Sequence, residues 1–135
     1  MNQITWRYSK GQVSETTISE LERFYNVAFP LFYKEIIRKY NGARPTLHPI
    51  KLENGKEVKL RSFLAIGKEH VDNIFSVNKH LEDKLPSGVI AFANDDFGNY
   101  FCFDFKKRKS NEVVFWDHED GKLVRLTEGF HTLFS

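Results

Sequence analysis

The chain has one cysteine, Cys102, and one methionine in 135 residues. A lone cysteine excludes a disulfide scaffold. No apolar run approaches the roughly 18–20 residues of a membrane span. The opening, Met1-Asn2-Gln3-Ile4-Thr5-Trp6, lacks the charged and apolar regions of a signal peptide. These absences lead to the expectation of a reduced, soluble, cytoplasmic protein. Chemical motifs are equally scarce. There is no Gly-x-Gly-x-x-Gly or Gly-Lys-Ser/Thr loop to cradle a phosphate. There is no Gly-x-Ser-x-Gly elbow and no His-x-x-x-His pair to hold zinc. No repeat, low-complexity tract or linker divides the chain, so one domain over residues 1–135 is expected.

What is present is aromatic. Phe, Tyr and Trp make up 15% of the chain, with 13 Phe, and apolar residues make up 41%. That excludes a disordered tail, which would be poor in aromatics. A chain of this length buries about two-thirds of its unfolded surface. The net charge of +2 is unevenly placed. Residues 1–67 hold 11 basic and 6 acidic groups, net +5; residues 68–135 hold 9 basic and 12 acidic groups, net −3. A nucleic-acid binder would carry a dominant basic face. The one dense basic run, Lys106-Lys107-Arg108-Lys109, lies between strand-like segments and reads as a solvated hairpin tip. Direct nucleic-acid binding is therefore not expected.

Periodicity predicts the elements. Ile4, Trp6 and Tyr8 alternate as in a short strand. Thr17 and Glu20 fit a capping box, followed by Ile18, Leu21, Phe24 and Tyr25 on one helical face. Phe29, Phe32, Tyr33, Ile36, Ile37 and Tyr40 form one apolar stripe at the 3.6-residue period. Pro30 suits the first turn of that helix and Asn41-Gly42 its stop. Residues 47–52 and 57–66 read as strands around an Asn54-Gly55 turn, with Val58 and Leu60 inward and Lys59 and Arg61 outward. Residues 69–84 read as a helix ended by Leu85-Pro86-Ser87-Gly88. The last third reads as strands at 89–93, 100–105, 113–116 and 123–126, then a short helix at 128–134 docking Phe130 and Phe134. The order predicts an α+β fold: a central antiparallel sheet of about five to six strands with helices packed against it.

Candidate chemistry is thin. Cys102 lies mid-strand between Phe101 and Phe103, the setting of a small inert core residue rather than an accessible thiolate. His118 is flanked by Asp117, Glu119 and Asp120, but the alternating carboxylates of a calcium loop are absent. Asp95-Asp96 are adjacent in a turn and so point different ways, which does not make an acid–base pair. No catalytic residue, metal or cofactor is expected. Acidic residues do accumulate, however: Asp95, Asp96, Asp104, Asp117, Glu119 and Asp120 fall within 26 residues of strand and turn. If the strands pair as neighbours, several share one rim, beside exposed aromatics drawn from Phe97, Tyr100 and Trp116. Two readings fit this rim equally: a surface for a basic protein partner, or a solvated edge that blocks strand aggregation.

Several stretches resemble the SUKH superfamily, which contains many bacterial immunity proteins and the yeast cell-wall assembly regulator. Leu21-Glu22, Phe29-Pro30-x-x-Tyr33 and Tyr40-Asn41-Gly42 are similar to its opening motifs. Residues 90–95 and Gly98-Asn99-Tyr100-Phe101-Cys102-Phe103-Asp104 resemble its strand, acidic-Gly turn, strand unit. Val114-Phe115-Trp116-Asp117-His118-Glu119 and the segment from Glu128 to Phe134 resemble its closing elements. The resemblance spans residues 17–134; Phe29 stands where the family usually has Leu. It implies an α+β domain with a binding role and no catalytic residue. Many members neutralise a toxin, often a nuclease. The expectation is an immunity protein, monomeric or weakly dimeric, that binds one cognate protein toxin through Asp95, Asp96, Asp117, Glu119 and Asp120. The alternative readings are a non-enzymatic scaffold module and a small-ligand-binding domain.

Overall fold

A computed structural model gives the protein's structure at residues 4–106, 112–127 and 129–134. In chain order the elements are β1 (Trp6–Arg7), α1 (Glu15–Tyr25), α2 (Leu31–Lys39), β2 (Arg44–Pro45), β3 (Ile50–Lys51), β4 (Glu57–Val58), β5 (Ser62–Phe63), α3 (Ile74–His80), β6 (Val89–Asn94), β7 (Tyr100–Asp104), β8 (Val113–Trp116) and β9 (Leu123–Arg125). A 3-10 turn, His131–Phe134, follows. The fold is α+β: β5-β6-β7-β8-β9 form one antiparallel sheet in sequence order. β1 pairs with β2 and β3 with β4 in two short ribbons.

The core follows from the aromatic content. The apolar run of β6 is buried along Val89 to Ala93, as a strand covered on both faces requires. Phe92 stacks on Phe103 of β7 with ring centres 4.0 Å apart. The stripe of α2 lands on this pair: Tyr33 lies 5.1 Å from Phe103 and 5.7 Å from Phe92. Phe130 closes the cluster 5.5 Å from Phe92. Burying each such ring stabilises the fold by about 1.5–3 kcal/mol. Trp6 stacks flat on Tyr40 at 4.7 Å, which ties the N-terminal segment to the end of α2.

Several boundaries differ from the sequence expectation. The cap of α1 is Ser14, not Thr17: Ser14 holds extended backbone, and its Oγ accepts from the Thr17 N–H at 3.1 Å. The helix expected over 69–84 is only α3, and Val71 is 92% exposed. The backbone explains the loss: Ala65 N–H donates to Asp72 O and Ile74 N–H to Ala65 O, which draws residues 72–74 alongside residue 65. Asn73 then starts the helix by accepting from Ser76 N–H at 2.8 Å. The strand expected over 57–66 is broken into β4 and β5, although Val58 and Leu60 do face inward and Lys59 and Arg61 outward. β1 stops at Arg7 because Tyr8 adopts φ +59°.

Two asparagine side chains stand in for strand partners. Asn78 of α3 donates to Ala91 O at 2.9 Å and accepts from Ala91 N–H at 2.8 Å, satisfying the open edge of β6. Asn41, buried after α2, donates to Ile66 O at 2.9 Å and accepts from Ile66 N–H at 2.7 Å. The Asn41-Gly42 pair therefore does more than stop α2. Gly42 has φ +66°, and a Cβ there would meet Ala65 Cβ at 3.0 Å. Of the basic run, Lys107, Arg108 and Lys109 lie outside the described residues, as does Glu128.

Candidate partner-binding surface

The β6–β7 and β8–β9 turns lie at the same end of the sheet, since β6 and β8 both run toward it. Asp95 opens the first turn and is 6% exposed. Its Oδ1 accepts from the N–H groups of Phe97 and Asn99, each at 2.9 Å, and its Oδ2 accepts from Asn99 Nδ2 at 2.8 Å. Both oxygens are thus committed to shaping the turn. Gly98 follows with φ +86°, a conformation a Cβ disfavours.

Asp117 does the same for the second turn. Its Oδ1 accepts from Glu119 N–H at 2.9 Å, and its Oδ2 lies 3.4 Å from Lys56 Nζ in the β3–β4 loop. The bond from Glu119 N–H, assisted by Lys56 and His118, holds its carboxyl below the usual carboxylate range. Lys56 reaches it because the β3–β4 ribbon is pinned beside β9, with Glu53 N–H donating to Arg125 O and Thr127 N–H to Lys51 O. Asp120 accepts from Lys122 N–H at 2.9 Å and remains exposed.

The two turns are clamped together through Asn99. Its Oδ1 accepts from His118 N–H at 2.9 Å and lies 2.7 Å from His118 Nδ1. An oxygen that faces a backbone N–H is an acceptor, so Nδ1 carries the ring proton.

Around this clamp, Asp96, Glu119 and Asp120 present exposed carboxyl groups, while Asp95 and Asp117 are turned inward. Asp96 has Arg61 Nε 3.4 Å away. The family model SUKH_6, described as SMI1-KNR4 cell-wall, matches residues 15–134. The chain belongs to the SUKH superfamily. No curated protein gives a match.

At this end of the SUKH domain, the sequence placed three aromatics beside the acids. One of them is a surface group: Phe97, at the turn tip, is 76% exposed. Trp116 is buried at 5% exposure, and Tyr100 is half-buried against it at 6.2 Å. Phe97 lines a cleft of about 420 Å³ together with Lys56, Val58, Asn99, His118 and Glu119. Sequence reading missed the Lys56 and Asn99 contributions to this surface. The Asn54-Gly55 turn signalled the Lys56 loop but not its destination.

Elsewhere the SUKH domain offers little reactive chemistry. Cys102 is fully buried, and burial pushes its thiol well above the ordinary range. Among the described residues, no group of three or more His, Cys, Asp or Glu side chains is placed to hold a metal ion. No helix among them is long and apolar enough to cross a membrane.

Proposed function

We propose that this SUKH domain is a non-enzymatic immunity protein of the bacterial cytoplasm that binds and neutralises one cognate protein toxin, a nuclease, by direct contact. The observation that carries the reading is the end of the sheet where exposed Asp96, Glu119 and Asp120 share two adjoining turns with the exposed Phe97. A nuclease must hold polyanionic substrate, so its groove is basic. Carboxylates can occupy the phosphate positions of such a groove, and opposite charge raises the encounter rate by about 10–10³-fold. An exposed aromatic within a polar rim is the usual anchor of a protein interface. Asp95 and Asp117 serve this surface by fixing the turns, and Asn99 holds the two turns in register. Such a scaffold is pre-organised, so little ordering cost falls on binding.

The test is co-expression. The neighbouring gene, where it encodes a large protein with a variable C-terminal region, is expressed in a bacterial host with and without this chain. The reading expects growth arrest from that region alone, relief by this chain, and co-purification of the two. Arrest that this chain does not relieve would overturn it.

A further inference from the structure

The positive excess of residues 1–67 has a destination in the fold, which meets the acidic end where Asp96 pairs with Arg61 at 3.4 Å. β1 pairs with β2, and Phe63 N–H of β5 donates to Ala43 O just before β2 at 3.0 Å. Between these strands and residues 69–72 lies a cleft of about 550 Å³. Lys10, Arg44, Arg61 and His70 line it, and an adjoining recess of about 220 Å³ adds Arg7 and Lys59. Both spaces share Tyr8, Arg44 and Arg61, so they form one basic depression. Glu69 and Asp72 sit on its far wall, and Glu69 lies 3.3 Å from His70 Nε2.

Three features set this cleft apart from an ordinary solvated patch. Arg44 lies over the Tyr8 ring, its guanidinium carbon 5.1 Å from the ring centre. Its Nε is buried and has no acceptor among the described residues, a costly state for a charged donor. Neither Lys10 nor Arg44 has a carboxylate partner among the described residues. Tyr8 itself is a non-glycine residue at φ +59° and is 66% exposed. A strained backbone that holds an aromatic at a cleft mouth is the kind of feature that clusters at ligand sites.

We infer that this cleft binds a small phosphorylated molecule. Arg44, Arg61 and Lys10 would hold its phosphate groups, and the open side of the Tyr8 ring would take a planar group. Guanidinium forks match phosphate oxygens two at a time. A volume of about 550 Å³ falls within the roughly 300–1,000 Å³ of small-molecule sites. Glu69 and Asp72 suit hydroxyl or amine donors on such a ligand. They also repel a long polyanion, as does Asp96 at the edge of the recess, so an extended nucleic acid fits worse than a compact ligand.

Calorimetric titration of the full chain with inorganic phosphate, pyrophosphate, ADP and a single-stranded oligonucleotide tests this, with amide shifts followed by NMR. The inference expects saturable 1:1 binding of pyrophosphate and ADP, with shifts confined to residues around Tyr8, Arg44, Arg61 and His70. Equal affinity for the two means that only phosphate is read; tighter ADP binding means that Tyr8 stacks the base. Arg61→Glu and Arg44→Gln should each weaken binding at least 10-fold. Arg61 is exposed, so its variant remains informative if Arg44→Gln fails to fold. No saturable binding by phosphate, pyrophosphate or ADP would overturn the inference. So would binding of the oligonucleotide alone, or shifts that map elsewhere.

Discussion

The side-chain oxygen of Asn99 accepts from the backbone N–H of His118 while the Asn99 amide nitrogen donates to Asp95 Oδ2. One residue thereby joins the β6–β7 turn to the β8–β9 turn across 19 positions of sequence. Asn99→Ala removes these two bonds and the one from His118 Nδ1, and leaves partners unsatisfied. We expect a loss of about 2–3 kcal/mol in urea unfolding. Nitrogen NMR of the wild type should show His118 protonated at Nδ1 in its neutral form.

Asn41 is a second buried amide that answers backbone rather than side chain. Asn41→Ala strands both the N–H and the C=O of Ile66. The expected cost is about 2–4 kcal/mol, since each orphaned buried group costs about 1–3 kcal/mol. A change within 0.5 kcal/mol in chemical denaturation would contradict the strand-mimic role.

Tyr33 and Phe92 touch within the same cluster but should respond oppositely to truncation. The Tyr33 hydroxyl is buried with no hydrogen-bond partner among the described residues, and burial raises its pKa. Tyr33→Phe removes a desolvated polar atom, so it should be neutral or stabilising by up to about 1 kcal/mol. Phe92→Ala opens a cavity under α2 and should cost about 3–5 kcal/mol. Thermal and urea unfolding of the pair checks the contrast.

Asp117 gives a pH signature. Its carboxyl is held below the ordinary 3.8, chiefly by the Glu119 N–H, with Lys56 assisting. A group whose folded pKa is depressed stabilises the native state above the unfolded value, and that contribution is lost as pH falls through the folded pKa. Asp117→Asn should therefore be less stable than wild type at neutral pH. Its stability should also change less between pH 4 and lower values. Parallel pH–stability curves for the two proteins would contradict this.

The parts of the fold that were legible in sequence are those set by local period. The α2 stripe repeats at 3.6 residues; its Phe29 and Tyr33 pack on the sheet, while Phe32 meets Phe130 and Tyr40 meets Trp6. The β6 run is small, apolar and flanked by turn residues, and it is a buried strand. The Asn54-Gly55 turn does join two strands. What was not legible depends on pairing between distant segments. Residues 69–73 have helical spacing, yet the backbone bonds between Ala65 and residues 72 and 74 hold Asn73 extended, so the helix starts only at Ile74. Trp116 reads as a turn-flanking surface aromatic, yet the sheet buries it. The acidic rim was legible as composition. The division of its members into inward Asp95 and Asp117 and outward Asp96, Glu119 and Asp120 was not, because it rests on how the two turns pack: Asp120 meets the Lys122 N–H and still stays exposed.

The most direct test of the account uses the charge-reversed protein Asp96→Lys/Glu119→Lys/Asp120→Lys in the toxin co-expression assay, beside wild type. These three side chains are exposed, so the melting temperature should move by only a few degrees, as surface changes within about 0.5 kcal/mol each imply. The account predicts that wild type restores growth and binds the toxin, while the folded variant does neither, with affinity reduced at least 10-fold. A folded variant that protects as well as wild type would contradict the claim that this end of the sheet meets the partner.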